Sequence, residues 1–284
     1  MFVLCEIIWT PPGADDDLGV AAVGEDLLRR QWPNVMPRMN EKTQLNNPHG
    51  LTVNQHVWPQ ASIARFADDA GVVTVVDKIR RLARLVKPDD PIFCANRVWD
   101  QRAEAGYMKQ IEDAFQRLAT DIIDGTVSAI RPEQKATVDA FFSLWKFRAE
   151  YKNMAECENV LVGVCGAGLT KDEEERVEKA GALFHRADGA MPGRMLYGMQ
   201  IQRKIDGYME DLSSIQWGII RTLEGHLVVA DCPKHTIIPL TPTLCLSSGG
   251  QTGHITRENL AEVNRAFREA STEYYFAMDH RLCP

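Results

Sequence analysis

The chain has 284 residues, 45% of them hydrophobic and 25% charged, so it is long enough to bury a large core as one big domain or two small ones. Lys+Arg 32 against Asp+Glu 39 gives a net charge of -7, which argues against a general affinity for DNA, since backbone binding relies on clustered cations. No apolar run approaches the roughly 20 residues of a membrane span, and the apolar start Met1 to Trp9 carries Glu6 and no basic leader, so a cytoplasmic protein without membrane contact is expected. Seven scattered cysteines, an odd number with no Cys-x-x-Cys pair, fit reduced thiols.

In chain order, Phe2 to Trp9 predicts a strand stopped by Pro11, Pro12 and Gly13, and Gly24 to Gln31 a helix. Residues 1–52 read as an N-terminal extension and 53–284 as a single α+β domain, its core beginning near Leu51. Asn54 to Gln60 holds a histidine beside Trp58 and Pro59, and Pro59 pushes Trp58 toward extended geometry. A short helical turn over Ala61 to Phe66, a turn at Asp68 to Gly71 and a strand over Val72 to Asp77 follow. Arg80, Arg81, Arg84 and Lys87 form the densest basic run, read first as solvated surface.

Gln101 to Asp124 predicts a helix with the stripe Tyr107, Ile111, Phe115, Leu118 and Ile122, capped by Gly125. Pro132 opens the next helix, whose apolar face carries Val138, Phe141, Phe142 and Trp145. Arg148 falls at the flank of that stripe, where a charge needs a partner, and Asp231 is a candidate. Asn159 to Cys165 is an apolar, strand-like run. Helices are expected over Asp172 to Arg186, with a Glu-rich exposed face, and over Met195 to Ser213. Then Gln216 to Leu223 and His226 to Ala230 suggest a hairpin turning at Glu224-Gly225, followed by short strands at Thr236 to Leu240 and Thr243 to Leu246. Thr256 begins the last helix. Long central helices with strands grouped near the end predict α+β, a helix-rich body with a small, mostly antiparallel sheet from the C-terminal third.

Each candidate site has a structural counter-reading. Gly163-Val-Cys-Gly166-Ala-Gly168-Leu169-Thr170 is placed as a phosphate loop would be, but Leu169 stands where the P-loop lysine belongs, so a glycine hinge is the plainer reading. His226, Cys232 and His235 have ligand-like spacing without the second pair that structural zinc draws on, so no metal and no cofactor is assigned. His56 is either a turn-holding hydrogen-bonder or a general acid/base. Asp231, at the end of Leu227 to Ala230, is either a turn former or a site residue.

Three segments, in this order, resemble a large, mainly bacterial family known as a domain of unknown function. Its members open with His-x-x-Pro-x-x-x-Leu-x-x-Phe, an acidic turn and a strand ending in Asp-Lys; here these are His56, Pro59, Ile63, Phe66, Asp68 to Gly71 and Val73 to Lys78. An aromatic-rich helix ending in Arg matches Phe141 to Arg148. Ser-Asp-x-Pro and Pro-Leu-x-Pro match Ala230 to Pro233, with Ala230 replacing the serine, and Pro239 to Pro242; Asn264 and Ala270 fit the last helix. The resemblance spans roughly residues 53 to 276 and implies a cytoplasmic accessory protein of bacteria or mobile elements, with no catalytic chemistry to carry over. It draws His56, Arg148 and Asp231 together.

Two functions are therefore expected. One is a hydrolase of nucleic acid or nucleotides, with His56 and Asp231 catalytic and Arg148, Trp58 and Gln60 contacting substrate. The other is a non-enzymatic binding or regulatory protein, for which a protein partner is the expected ligand, in which His56, Arg148 and Asp231 form a structural polar network.

Overall fold

The computed structural model describes residues 36–38, 41–154 and 156–284. The strand expected at Phe2 to Trp9 and the helix at Gly24 to Gln31 lie outside the described residues. The fold is α+β, with four small sheets among the described residues.

In chain order, β1 (Met36–Arg38), β2 (Asn54–His56), α1 (Gln60–Ala64), β3 (Val73–Asp77), β4 (Leu82–Val86) and β5 (Cys94–Asn96) come first. A helical turn, Gln101–Ala103, passes through a π turn, Glu104–Met108, into α2 (Lys109–Ile123). Then come α3 (Pro132–Tyr151), β6 (Glu156–Val160), α4 (Lys171–Lys179), β7 (Ala190–Met191) and α5 (Gly193–Asp211). The C-terminal part holds β8 (Trp217–Thr222), β9 (Val229–Ala230), β10 (Ile237–Thr241), β11 (Leu244–Ser248), β12 (Gly253–Ile255), α6 (Arg257–Ala270) and β13 (Tyr274–Ala277).

Local chemistry sets the boundaries. Gly125 takes φ +78° just past α2, and Pro132 starts α3 where its missing N–H has no helical partner. Thr170 and Glu173 cap α4 reciprocally, and Thr256 caps α6 through Asn259 N–H. The sheet order β4-β3-β13-β9 places Val73, Val75, Tyr274 and Phe276 on its inner face, against a core of aromatic residues. Trp58 packs edge-on to Trp145 at 4.1 Å and to Phe141 at 5.4 Å between ring centroids, while Phe115 stacks on Phe141.

Three expectations need correction. The expected hairpin is not one: β8 pairs with β11 and β12, and β9 pairs with β13 in another sheet. The chain changes sheets after Gly225 because His226 N–H is taken by the Leu282 carbonyl and Leu227 N–H by Pro242, with Asn264 clamping Val228 N–H and the His226 carbonyl. The strand expected through Cys165 ends at Val160, and Val162 beyond it is exposed. Helix α4 ends at Lys179, before Gly181 at φ +79°, and of its glutamates only Glu173 is exposed: Glu174, Glu175 and Glu178 are buried.

Buried carboxylates need counter-charges, and these come from far along the chain. Arg97 and Arg194 both meet Glu178, and Arg186 joins Glu174, Glu158 and Glu41. Glu41 is itself penalised by burial, yet Lys171, Arg194 and Arg186 outweigh that and bring its pKa down to about 2. The same helix receives the described end of the N-terminal segment: Glu175 accepts from Gln44 N–H at 2.8 Å, Asp172 meets His49, and Lys179 donates to the Gly50 carbonyl.

Candidate functional site

The Asn54 to Gln60 stretch is held from inside by Gln55. Its side chain is fully buried, donates to the Trp99 carbonyl at 2.7 Å and accepts from Val98 and Trp99 N–H, which pins β2 beside β5. His56 is half-buried opposite Cys94, and its Nε2 lies 3.2 Å from the Pro88 carbonyl, so that nitrogen carries the proton and donates. Trp58 is 1% exposed and packed among rings, so it is a core residue and not a substrate contact. Gln60 is exposed at the start of α1.

Arg148 is buried and does need a partner, but the partner is not Asp231. Its guanidinium pairs with Glu112 of α2 and with Glu104 in the π turn, at 3.3 Å, and donates to the His56 carbonyl at 3.0 Å. It also lies over the Trp99 ring, whose Nε1–H donates to Glu104. Burial opposes the Arg148 charge, but Glu112 and Glu104 outweigh it and hold the pKa above its ordinary value. The sequence carried a signal for these acids, because Glu104 and Glu112 border the apolar stripe of Tyr107, Ile111 and Phe115 on the same helix.

Asp231 is a turn clamp. Oδ1 accepts from Thr272 N–H at 3.0 Å; Oδ2 accepts from the Thr272 hydroxyl at 2.8 Å and from the N–H groups of Glu273 and Tyr274 at 2.6 and 3.3 Å. The carboxylate thus fixes the bend between α6 and β13. Hence the structure brings His56 and Arg148 together through a backbone carbonyl, while Asp231 bonds neither.

The other expectations resolve similarly. Among the described residues no group of three His, Cys, Asp or Glu side chains could hold a metal, so His226, Cys232 and His235 form no ligand set. Burial pushes the Cys232 thiol up to about 12. In the glycine stretch, a Cβ on Gly166 would stand 1.9 Å from the His185 carbonyl oxygen, so this glycine serves a close backbone crossing. The first turn of α4 carries Asp172, Glu173 and Glu174, which repel a phosphate from that helix start.

Between the Asn54 to Gln60 stretch and the turn held by Asp231 lies a surface groove of about 710 Å³ that sequence reasoning missed. Cys94, the cross-strand neighbour of His56, lines one side, and Glu273, whose N–H is held by Asp231, lines another. Its three cations are each paired. Asp90 grips Arg84 bidentately at 2.8 and 2.9 Å, Asp77 meets Arg80 at 3.3 Å, and Glu273 meets Lys152 at 2.7 Å. Asp90 is held below its ordinary pKa by the Arg84 guanidinium, and burial pushes the Cys94 thiol up to about 11. Leu82, Ile79 and Ile92 add apolar surface. The groove is neutral in sum and offers apolar contacts between fixed charges.

Among the described residues no helix is long and apolar enough to cross a membrane. No family model matches the chain, and neither a curated protein nor a solved structure does.

Proposed function

We propose that this chain is a non-enzymatic binding protein, in which His56, Arg148 and Asp231 hold the fold and the groove between β4 and the Pro91 to Cys94 segment is the binding surface. The observation that carries the reading is the use to which each polar group is put. The His56 ring donates to a carbonyl, the Arg148 guanidinium is buried between two glutamates, and the Asp231 carboxylate accepts four hydrogen bonds from one turn. None of the three lines the groove. Cys94, which does, is a neutral thiol at ordinary pH and a poor nucleophile. A hydrolase built on His56 and Asp231 would need both to face one substrate, and they hold separate turns. The likeness over residues 53 to 276 would make the protein an accessory factor of the bacterial cytoplasm.

The test combines stability with turnover. The purified protein is assayed on nucleotides and on single- and double-stranded nucleic acid, beside His56→Ala, Arg148→Met and Asp231→Ala. The binding reading expects no turnover by the wild type and lower melting temperatures for Arg148→Met and Asp231→Ala. Turnover that His56→Ala abolishes at an unchanged melting temperature would overturn it.

A further inference from the structure

The groove's outer wall is a sheet edge. β4 is the terminal strand of the order β4-β3-β13-β9, and among the described residues its backbone pairs with β3 alone. An edge strand offers a row of N–H and C=O groups to any chain that can lie alongside. Proteins usually blunt such edges with charges, prolines or bulges. β4 has no proline, pairs with β3 in unbroken register, and carries one charge, Arg84, which Asp90 holds into the groove. Around it Leu85 and Leu82 are 66% and 43% exposed. This is an edge left open.

Charge says what fits it. Arg81 and Lys87 bracket the strand, both exposed, and neither forms an ion pair among the described residues. We propose that β4 takes up an extended, acidic-ended peptide segment of a protein partner as a fifth strand of this sheet, a proposal that rests on the binding reading above. Arg81, in the turn before β4 at φ +55°, and Lys87 are six positions apart, so they lie within about 20 Å at about 3.3 Å per residue. The partner segment therefore presents an acidic side chain near each end of a short apolar run, whose residues cover Leu82 and Leu85. A second copy of this chain is disfavoured by the same residues. Two β4 strands related by a twofold axis through Arg84 would set Arg81 opposite Lys87 at both ends, like charge against like. A nucleic-acid strand would engage the two cations but leave the leucines uncovered.

The experiment is fluorescence anisotropy with the full chain and labelled peptides. The probe Glu-Val-Thr-Val-Thr-Val-Glu, its two glutamates six positions apart like Arg81 and Lys87, is compared with the same interior ended by lysines, with a version N-methylated at alternate residues, and with an oligo-dT strand. The acidic-ended probe binds; the lysine-ended and N-methylated ones do not. The variant R81E/K87E, checked by thermal melting, weakens the acidic probe by about tenfold and gains the lysine-ended one. Leu85→Lys, which charges the open edge, weakens the acidic probe independently. The proposal is overturned if both peptide ends bind the wild type equally, if N-methylation changes nothing, if neither peptide binds, or if oligo-dT alone binds through Arg81 and Lys87. Sedimentation showing a dimer broken by Leu85→Lys would instead make the edge a self-interface. Failure of the peptide with no turnover sinks the edge-strand proposal alone, whereas His56-dependent turnover sinks the binding reading beneath it.

Discussion

Arg148→Met separates a structural from a catalytic arginine. In the native chain the guanidinium is 1% exposed, and the side chains of Glu104 and Glu112 are each 18% exposed. Methionine keeps much of the side-chain length and removes the charge. Two carboxylates are then left beside each other with little water, the His56 carbonyl loses its donor, and the face of Trp99 loses its cation. Removing one partner of a buried ion pair costs about 3–5 kcal/mol, mostly through the charge left behind. For a chain of this size that is a fall of roughly 6–20 °C in melting temperature. Urea unfolding by circular dichroism should give the same loss with an unchanged slope. The triple variant Arg148→Met/Glu104→Gln/Glu112→Gln removes the stranded charges while keeping an acceptor for Trp99 Nε1–H, so it should recover half of the loss or more. A single variant within about 0.5 kcal/mol of the wild type, the range of ordinary surface changes, refutes the account.

Further outcomes follow from the other clusters. Asp231→Ala strands the N–H groups of Thr272, Glu273 and Tyr274 and should cost about 1–3 kcal/mol, with Asp231→Asn losing less because one oxygen remains; equal losses would show that the carboxylate is not the clamp. Glu41 has a folded pKa of about 2 against an ordinary 4.5, so its contribution is present above 4.5 and disappears as pH falls toward 2. Stability curves of the wild type and Glu41→Gln should therefore differ at neutral pH and converge near pH 2; parallel curves would contradict the pairing of Glu41 with Lys171, Arg186 and Arg194 as its source. Gly166→Ala, which drives a methyl into the His185 carbonyl, should destabilise by about 1–3 kcal/mol, and a thermal midpoint equal to that of the wild type would count against the close crossing.

Much of the local structure was legible because it rests on local chemistry. The stripe from Tyr107 to Ile122, the proline at position 132 and the threonine at 256 act within a turn or two of themselves. That Arg148 would be buried and need an acid was legible too, from its place beside Phe141 and Trp145. Which acid was only half legible: Glu112 and Glu104 border the stripe of the preceding helix, but Glu104 reaches Arg148 from a π turn, whose extra residue shifts the register that periodicity assumes. The glutamates of α4 were misread for a related reason. A run of acids on a short helix looks solvated until Arg97, Arg186 and Arg194 are brought to it by the fold. The groove had no local signature at all, since β4, Lys152 and Glu273 meet only in three dimensions.

The Asn54 to Gln60 stretch and the Asp231 clamp matter to the groove as its anchors. Asp231 holds the Glu273 N–H; the Glu273 carboxylate holds Lys152; and Lys152 also donates to the Ile92 carbonyl at 3.0 Å, on the wall that leads to Cys94 and its neighbour His56. Asp90 joins that wall to the β4 wall, fixing both the Ile92 N–H and Arg84. The lining charges are therefore set by bonds that run back into buried structure, and a ligand entering the groove meets side chains already ordered. Ordering such side chains on binding costs about 0.5–1.5 kcal/mol each, so a pre-arranged wall keeps that free energy for the contact itself. Loss of the Asp231 clamp should then weaken peptide binding at β4 beyond its effect on stability, although Asp231 touches neither the peptide nor the edge.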